Sequence, residues 1–309
     1  MFELAGPRRA LFKISTASTA QIILETGKLR WSRPGLFNDV FDSQFDLRTL
    51  ENEEALQPKI LDRLWQSALD PDGFQPGNAL GLLHKVASPV IAGLGRETFF
   101  TEMGPAVLEG IAKGKEGLPK FFEEIRASLS TTKLLCLTDD IFGRSLWGHY
   151  GDSGRGVALE FRNVESLDSP YRIAKAVEYL DLPPLLYDEE FLLGWMSGER
   201  AFTAAGLMDK TLFVKHTDWR WEREWRLASG DGRHANDTFE DAGFHHAELA
   251  SIVLGPRACA ETVSIMKTLA NDRYFFATVE KLVTGSAFQL TRVIDQPARL
   301  NFPEEELCK

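Results

Sequence analysis

An α+β fold carrying a helical insertion is what this sequence predicts, on three observations. The chain opens as strand, helix, strand. A stretch from about residue 51 to 130 then carries helical spacing throughout. After it, short strands and helices follow one another in no regular order, which suits α+β better than a doubly wound sheet. The 309 residues read as a single elaborated domain holding that insertion.

Leu11–Ile14 is a short apolar strand. Ser18 with Gln21 has capping-box spacing, so a helix is expected from about Thr19 to Thr26, with Ile22, Ile23 and Leu24 on its apolar side and Gly27 as a left-handed cap. Leu29–Ser32 is a second strand, closed by Arg33-Pro34-Gly35. Phe37–Asp42 follows as a turn with an aromatic anchor on each side. Within the insertion, Ala55–Leu69, Ala79–Val86, Glu97–Lys113 and Leu118–Leu129 are expected as separate helices, parted by breaks such as Asp70–Gly73. Strands return at Lys133–Thr138, Gly156–Phe161 and Ala176–Leu180, the last stopped by Pro183-Pro184. Asp188 suits the N-cap of a helix through Trp195, and more helix is expected around Glu199–Leu207. A strand at Ser251–Leu254, a helix at Cys259–Ala270 and strands at Phe275–Val283 and Ala287–Ile294 complete the chain, and the tail from Asn301 is expected to fray.

A net charge of −10 argues against non-specific affinity for nucleic acid or an anionic membrane. Cys136, Cys259 and Cys308 lie far apart without metal or disulfide spacing, so reduced thiols are expected. The N-terminus has no signal pattern and no apolar run approaches spanning length, which predicts a cytoplasmic protein.

The stretch richest in chemistry is Trp219–Arg226, with three of the seven tryptophans and two glutamates in eight residues. At period two it separates into faces: Trp219, Trp221, Arg223, Trp225 and Leu227 on one, Arg220, Glu222, Glu224 and Arg226 on the other. Three indoles should bury the first face. On a strand the two carboxylates point the same way, roughly 7 Å apart. Such a pair can divide labour, one stabilising a positive centre and the other orienting or deprotonating an acceptor. Arg220 and Arg226 would keep both ionised, and equally would make an ordinary salt-bridge ladder.

Other candidates carry a plain alternative. Asn38-Asp39 is a possible Asx turn, and His149 with Tyr150 a hydrogen-bonded corner. Gly151, Gly154 and Gly156 precede a strand and so are a structural turn, not a dinucleotide fingerprint. His84 reads as packed and His245-His246 as a loop pair. Asp139, Asp140 and Glu160 would serve a metal-dependent nuclease only if the fold gathered them, since their spacing fixes no metal site.

In order, Leu11–Ile14, Ile22–Arg30, Phe37–Asp42, Leu146–Gly151, Gly156–Phe161 and Lys215 through Arg226 resemble the bacterial family known as domain of unknown function 2971, which implies no assigned activity. More distantly, the first strand with its polar end, the helix closing in Gly27-Lys28-Leu29, and a late Glu222-x-Glu224 resemble the ADP-ribosyltransferase superfamily. That likeness implies a split, mixed or antiparallel sheet core and NAD as substrate. Glu224 would stabilise the oxocarbenium ion and Glu222 would orient the acceptor. Lys13 and Arg226 would hold phosphates, with Ser15, Asn38 and Asp39 beside them, and Trp147, His149 and Tyr150 would line the nicotinamide pocket. Lys13 departs from the superfamily's histidine or arginine, and no Ser-Thr-Ser middle motif is present. The acceptor implied is protein, nucleic acid or water, in a toxin or phage-defence setting. The rival expectation is a non-catalytic nucleotide-sensing or interaction module on the same scaffold.

Overall fold

A computed structural model describes residues 10–43, 53–185, 188–201, 204–230 and 234–303. Cys308 and the tail beyond 303 lie outside them, as does part of the helix expected at 199–207. In chain order the elements are β1 (Leu11–Ser15), α1 (Ala17–Thr26), β2 (Lys28–Ser32), α2 (Gln57–Leu69), α3 (Ala79–Leu94), α4 (Arg96–Thr131), β3 (Leu134–Thr138), α5 (Arg144–His149), β4 (Val157–Phe161), β5 (Lys175–Ala176) and β6 (Glu178–Leu180). They continue with α6 (Glu189–Met196), α7 (Ala204–Leu212), β7 (Val214–His216), β8 (Glu224–Ala228), β9 (Phe239–Gly243), β10 (Leu249–Leu254), α8 (Ala260–Arg273), β11 (Thr278–Thr284) and β12 (Leu290–Gln296). The fold is α+β, with a sheet that mixes antiparallel and parallel strands.

The chain divides into two compact units, 1–42 with 130–181 and 213–309, and 43–129 with 182–212. The second, helical unit takes in residues 182–212 besides the stretch expected from the sequence. Within it α2 buries Ile60, Leu61, Leu64 and Trp65. His84 is packed, its Nε2 2.9 Å from Ser67 Oγ, and burial lowers its pKa. The helices expected at 97–113 and 118–129 are one continuous α4, which runs through Pro105 and Pro119. Buried Phe99, Val107, Phe122, Ile125 and Leu129 hold its apolar side, outweighing the hydrogen bonds the prolines forfeit.

The first unit holds a ten-stranded sheet. Helix α1 starts earlier than expected because Thr16, extended at φ −63° and ψ 158°, caps it by accepting from the Thr19 amide; Gln21 instead bonds Glu25 one turn on. Gly27 closes the helix at φ 63°, as its sequence position implies. The strand expected at 176–180 breaks into β5, which pairs with β8, and β6, which runs parallel to β7.

The arrangement around β3 positions everything that follows. One edge of β3 carries a full five-pair ladder with β8, from Leu134↔Ala228 to Thr138↔Glu224. Its other edge is shared. β1 touches it through Phe12↔Thr138 and β2 through Ser32↔Leu134, one pair each. On their far sides β1 and β2 have complete ladders, with β4 and β9 respectively. The two strands therefore part opposite the middle of β3 and leave a wedge at Cys136. Alternation along β3 and β8 puts Leu135, Leu137 and Leu227 into the core shared with α1 and α8. It turns Cys136, Thr138, Glu224 and Arg226 to the opposite face.

Candidate functional site

The segment expected to be one strand, Trp219–Arg226, is not one. Thr217–Glu222 forms a 3-10 helix, Arg223 sits in the left-handed region at φ 47°, and only from Glu224 does the chain join the sheet. The burial expectation inverts as well: Trp219, Trp221 and Trp225 are half-buried, whereas Glu222, Glu224 and Arg226 are buried. The physical reason is pairing. Each charged group finds a partner of opposite sign inside, which makes its burial tolerable, while Trp219 packs against Trp221, Trp221 stacks with His149, and Trp225 lies against the core and donates to Asp139.

Five charged side chains make the centre. Arg226, 0% exposed, donates to both oxygens of Asp42 at 2.9 and 2.6 Å and to both of Glu224 at 2.9 and 3.0 Å. Lys215 Nζ lies 2.6 Å from Glu222 Oε2, 3.3 Å from Glu224 Oε2 and 3.8 Å from Asp42 Oδ2, and 4.6 Å over the Trp219 ring. Tyr150 donates its hydroxyl to Glu222 Oε1 and accepts from Asn38 Nδ2 at 2.9 Å. Three acids against two bases leave one formal negative charge in excess.

The two glutamates are held in opposite states of ease. Burial raises the Glu222 pKa by more than Lys215 and the Tyr150 hydroxyl lower it. Burial would raise Glu224 too, but the Arg226 guanidinium and the Lys215 ammonium override it and hold Glu224 at about 2. Burial opposes the charge on Lys215, yet Glu224 and Glu222 raise its pKa overall, so it is a fixed cation and no nucleophile. Burial, then the bond to Glu222, push the Tyr150 hydroxyl up and keep it a donor. The Cys136 thiol rises well above its ordinary value through burial and the Glu224 charge.

A cavity of about 370 Å³ opens beside this centre, within the usual range for small-ligand sites. Lys13, Asn38, Tyr150, Glu222 and Glu224 line it together with Lys215, Cys136, Arg30 and an apolar wall that includes Phe12 and Phe37. Lys13 fills the wedge, its Nζ donating to the Cys136 carbonyl at 3.0 Å in place of the missing ladder bond.

The remaining sequence candidates stand apart from the cavity lining. Ser15 is buried and its hydroxyl bonds the Thr16 carbonyl at 3.3 Å. Asp39 makes an Asx turn, accepting from the Phe41 amide at 2.9 Å. Phe41, expected to anchor that turn, is 71% exposed. Trp147 is buried in the apolar core and donates to the Ile141 carbonyl at 2.8 Å. The His149 ring stacks on Trp221 at 4.9 Å. Arg226 lies behind the cavity wall, committed to its two acids. Arg220, expected to steady Glu222, is exposed, and Lys215 and Tyr150 take that place.

A family model described as protein of unknown function (DUF2971) matches residues 146–227. That stretch runs from α5 to the end of β8 and contains Tyr150, Lys215 and both glutamates, so the match supports the likeness to this family of unassigned activity. No curated protein and no solved structure matches the chain. Among the described residues no cluster of three or more His, Cys, Asp or Glu could hold a metal ion; Asp139 pairs with Arg223, and Glu160 with Ser251 and Arg292. No helix among them is long and apolar enough to cross a membrane.

Sequence reasoning passed over Lys215 and Asp42, both central here. Each stood at the end of a stretch that it did single out. Charge count offers a signal for Lys215 alone, since two acids beside one arginine leave a negative charge that a second cation offsets; Asp42, a third acid, has no such signal and is brought in only by the fold.

Proposed function

We propose that this cavity binds NAD and that the protein is an ADP-ribosyltransferase-like or NAD-cleaving enzyme, with a split sheet of that kind as its core. One observation carries the reading: Lys13, Asn38, Tyr150, Glu222 and Glu224, brought from four separate stretches, line a single cavity at the parting of β1 and β2. Buried ion networks are costly relative to apolar packing, and one placed at a cavity wall with its pKa values driven apart is a functional candidate.

In this reading Lys13 gives its ammonium to a phosphate, and the carboxylates steady positive charge that develops at the ribose as the glycosidic C–N bond breaks and its electron pair leaves with nicotinamide. The acceptor oxygen bonds to the ribose carbon and yields its proton to a carboxylate. The test is nicotinamide release from NAD, with water, protein and nucleic acid offered as acceptors. Release by the wild type, lost in the Glu222→Gln/Glu224→Gln double variant, is the expected result. No release above the double variant with any acceptor refutes it.

A second reading has its own support. Every carboxylate oxygen of Glu222 and Glu224 already accepts from a protein donor. A nucleotide-sensing module is the consequence if NAD raises the melting temperature without being cleaved.

A further inference from the structure

We infer that Glu222, rather than Glu224, is the carboxylate that meets the ligand, held in waiting by Tyr150 and Lys215, while Glu224 is a fixed counter-ion of the wall. The identity of the ligand rests on the NAD reading above; the division between the two acids rests on geometry alone.

The geometry separates them by where their donors stand. Glu222 accepts from Tyr150 at one oxygen and from Lys215 at the other, and both donors line the cavity. A ligand entering there reaches the same space as these donors, so its hydroxyl groups can exchange with them one for one. Glu224 is gripped across both oxygens by the Arg226 guanidinium, which lies behind the wall and is itself gripped by Asp42. Its amide donates to the Tyr179 hydroxyl at 2.8 Å, which fixes the backbone too. Freeing Glu224 would strip a wholly buried guanidinium of a paired carboxylate. Freeing Glu222 only lets Lys215 turn to Glu224 and Asp42, which already lie within 3.3 and 3.8 Å of its Nζ. Lys215 and Tyr150 are thus positioning residues for Glu222, and Asp42 and Arg226 for Glu224.

The experiment pairs thermal melting with calorimetric titration of NAD and of ADP-ribose, on wild type, Glu222→Gln and Glu224→Gln. Glu222→Gln is expected to melt within about 2 °C of wild type and to bind NAD about 10- to 100-fold more weakly, the loss of one hydrogen bond to a charged group. Glu224→Gln is expected to melt lower by about 6 °C or more, or not to accumulate folded. Glu222→Gln binding NAD within about twofold of wild type overturns the inference. So do equal melting losses in the two variants. If the wild type binds neither nucleotide, the NAD reading fails, and the two melting shifts alone decide which acid is the fixed one.

Discussion

Replacing Lys215 by Met is the sharpest single probe of the charged centre. Its ammonium is 4% exposed and touches Glu222, Glu224 and Asp42. Methionine fills similar volume but turns three acids against two bases into three against one. Leaving a buried charge without its partner costs about 3–5 kcal/mol. The loss is capped, because Glu222 is already raised by burial and takes up a proton once Lys215 no longer opposes it. Each unit of that rise is worth about 1.4 kcal/mol. We therefore expect a loss of about 3 kcal/mol near pH 7.5, a drop of about 6–12 °C in melting. A carboxyl whose folded pKa is raised lends stability below its ordinary value and loses it as pH rises through the raised one. The variant should accordingly recover relative to wild type as the buffer is taken from pH 7.5 to 5. Urea unfolding of both proteins across that range measures it. A difference below about 1 kcal/mol, or one indifferent to pH, would refute the reading of the centre as a buried network that depends on the Lys215 charge.

Three further outcomes follow from the same geometry. Glu224 is depressed to about 2, so it stabilises the fold above the ordinary glutamate range by about 3 kcal/mol and loses that as pH falls toward 2; acid unfolding of Glu224→Gln against wild type should show the gap closing over that window. Gly156→Ala would set its methyl 2.1 Å from the Ser15 carbonyl oxygen, and equilibrium unfolding should show a loss of about 2 kcal/mol or more where β4 meets β1. Lys13→Met removes the donor that spans the wedge; it should cost about 1 kcal/mol in stability, measured by urea unfolding, and about tenfold in NAD affinity, measured by titration.

Local signals carried much of the fold. Gly27, Asp188 and the apolar runs at Leu11, Leu134 and Val157 mark elements whose causes lie within a few residues. Long-range causes were invisible. Strand β9, Phe239–Gly243, has no apolar alternation; it exists because β2 pairs with it and Arg30 grips Asp241 through two bonds of 2.8 and 2.9 Å. The period-two reading of Trp219–Arg226 failed at Arg223, where a left-handed residue resets the chain between a 3-10 turn and a strand. No pattern of hydrophobicity announces such a joint. The two glutamates were legible because acids at i and i+2 are unusual beside so much aromatic surface. Their partners were not, since Asp42, Tyr150 and Lys215 reach them only through the topology of the sheet.

The rings around the site carry a last consequence. His149 stacks on Trp221, Trp221 lies 5.8 Å from Trp219, and the Lys215 ammonium rests 4.6 Å over Trp219. An indole's emission responds to a charge held against its face, so this column is an optical gauge wired to the cation that restrains Glu222. Any occupant that draws Lys215 away from Glu222 will change the light from Trp219. The protein thus supplies its own label for ligand screening, and Trp219→Phe marks which part of the signal belongs to it.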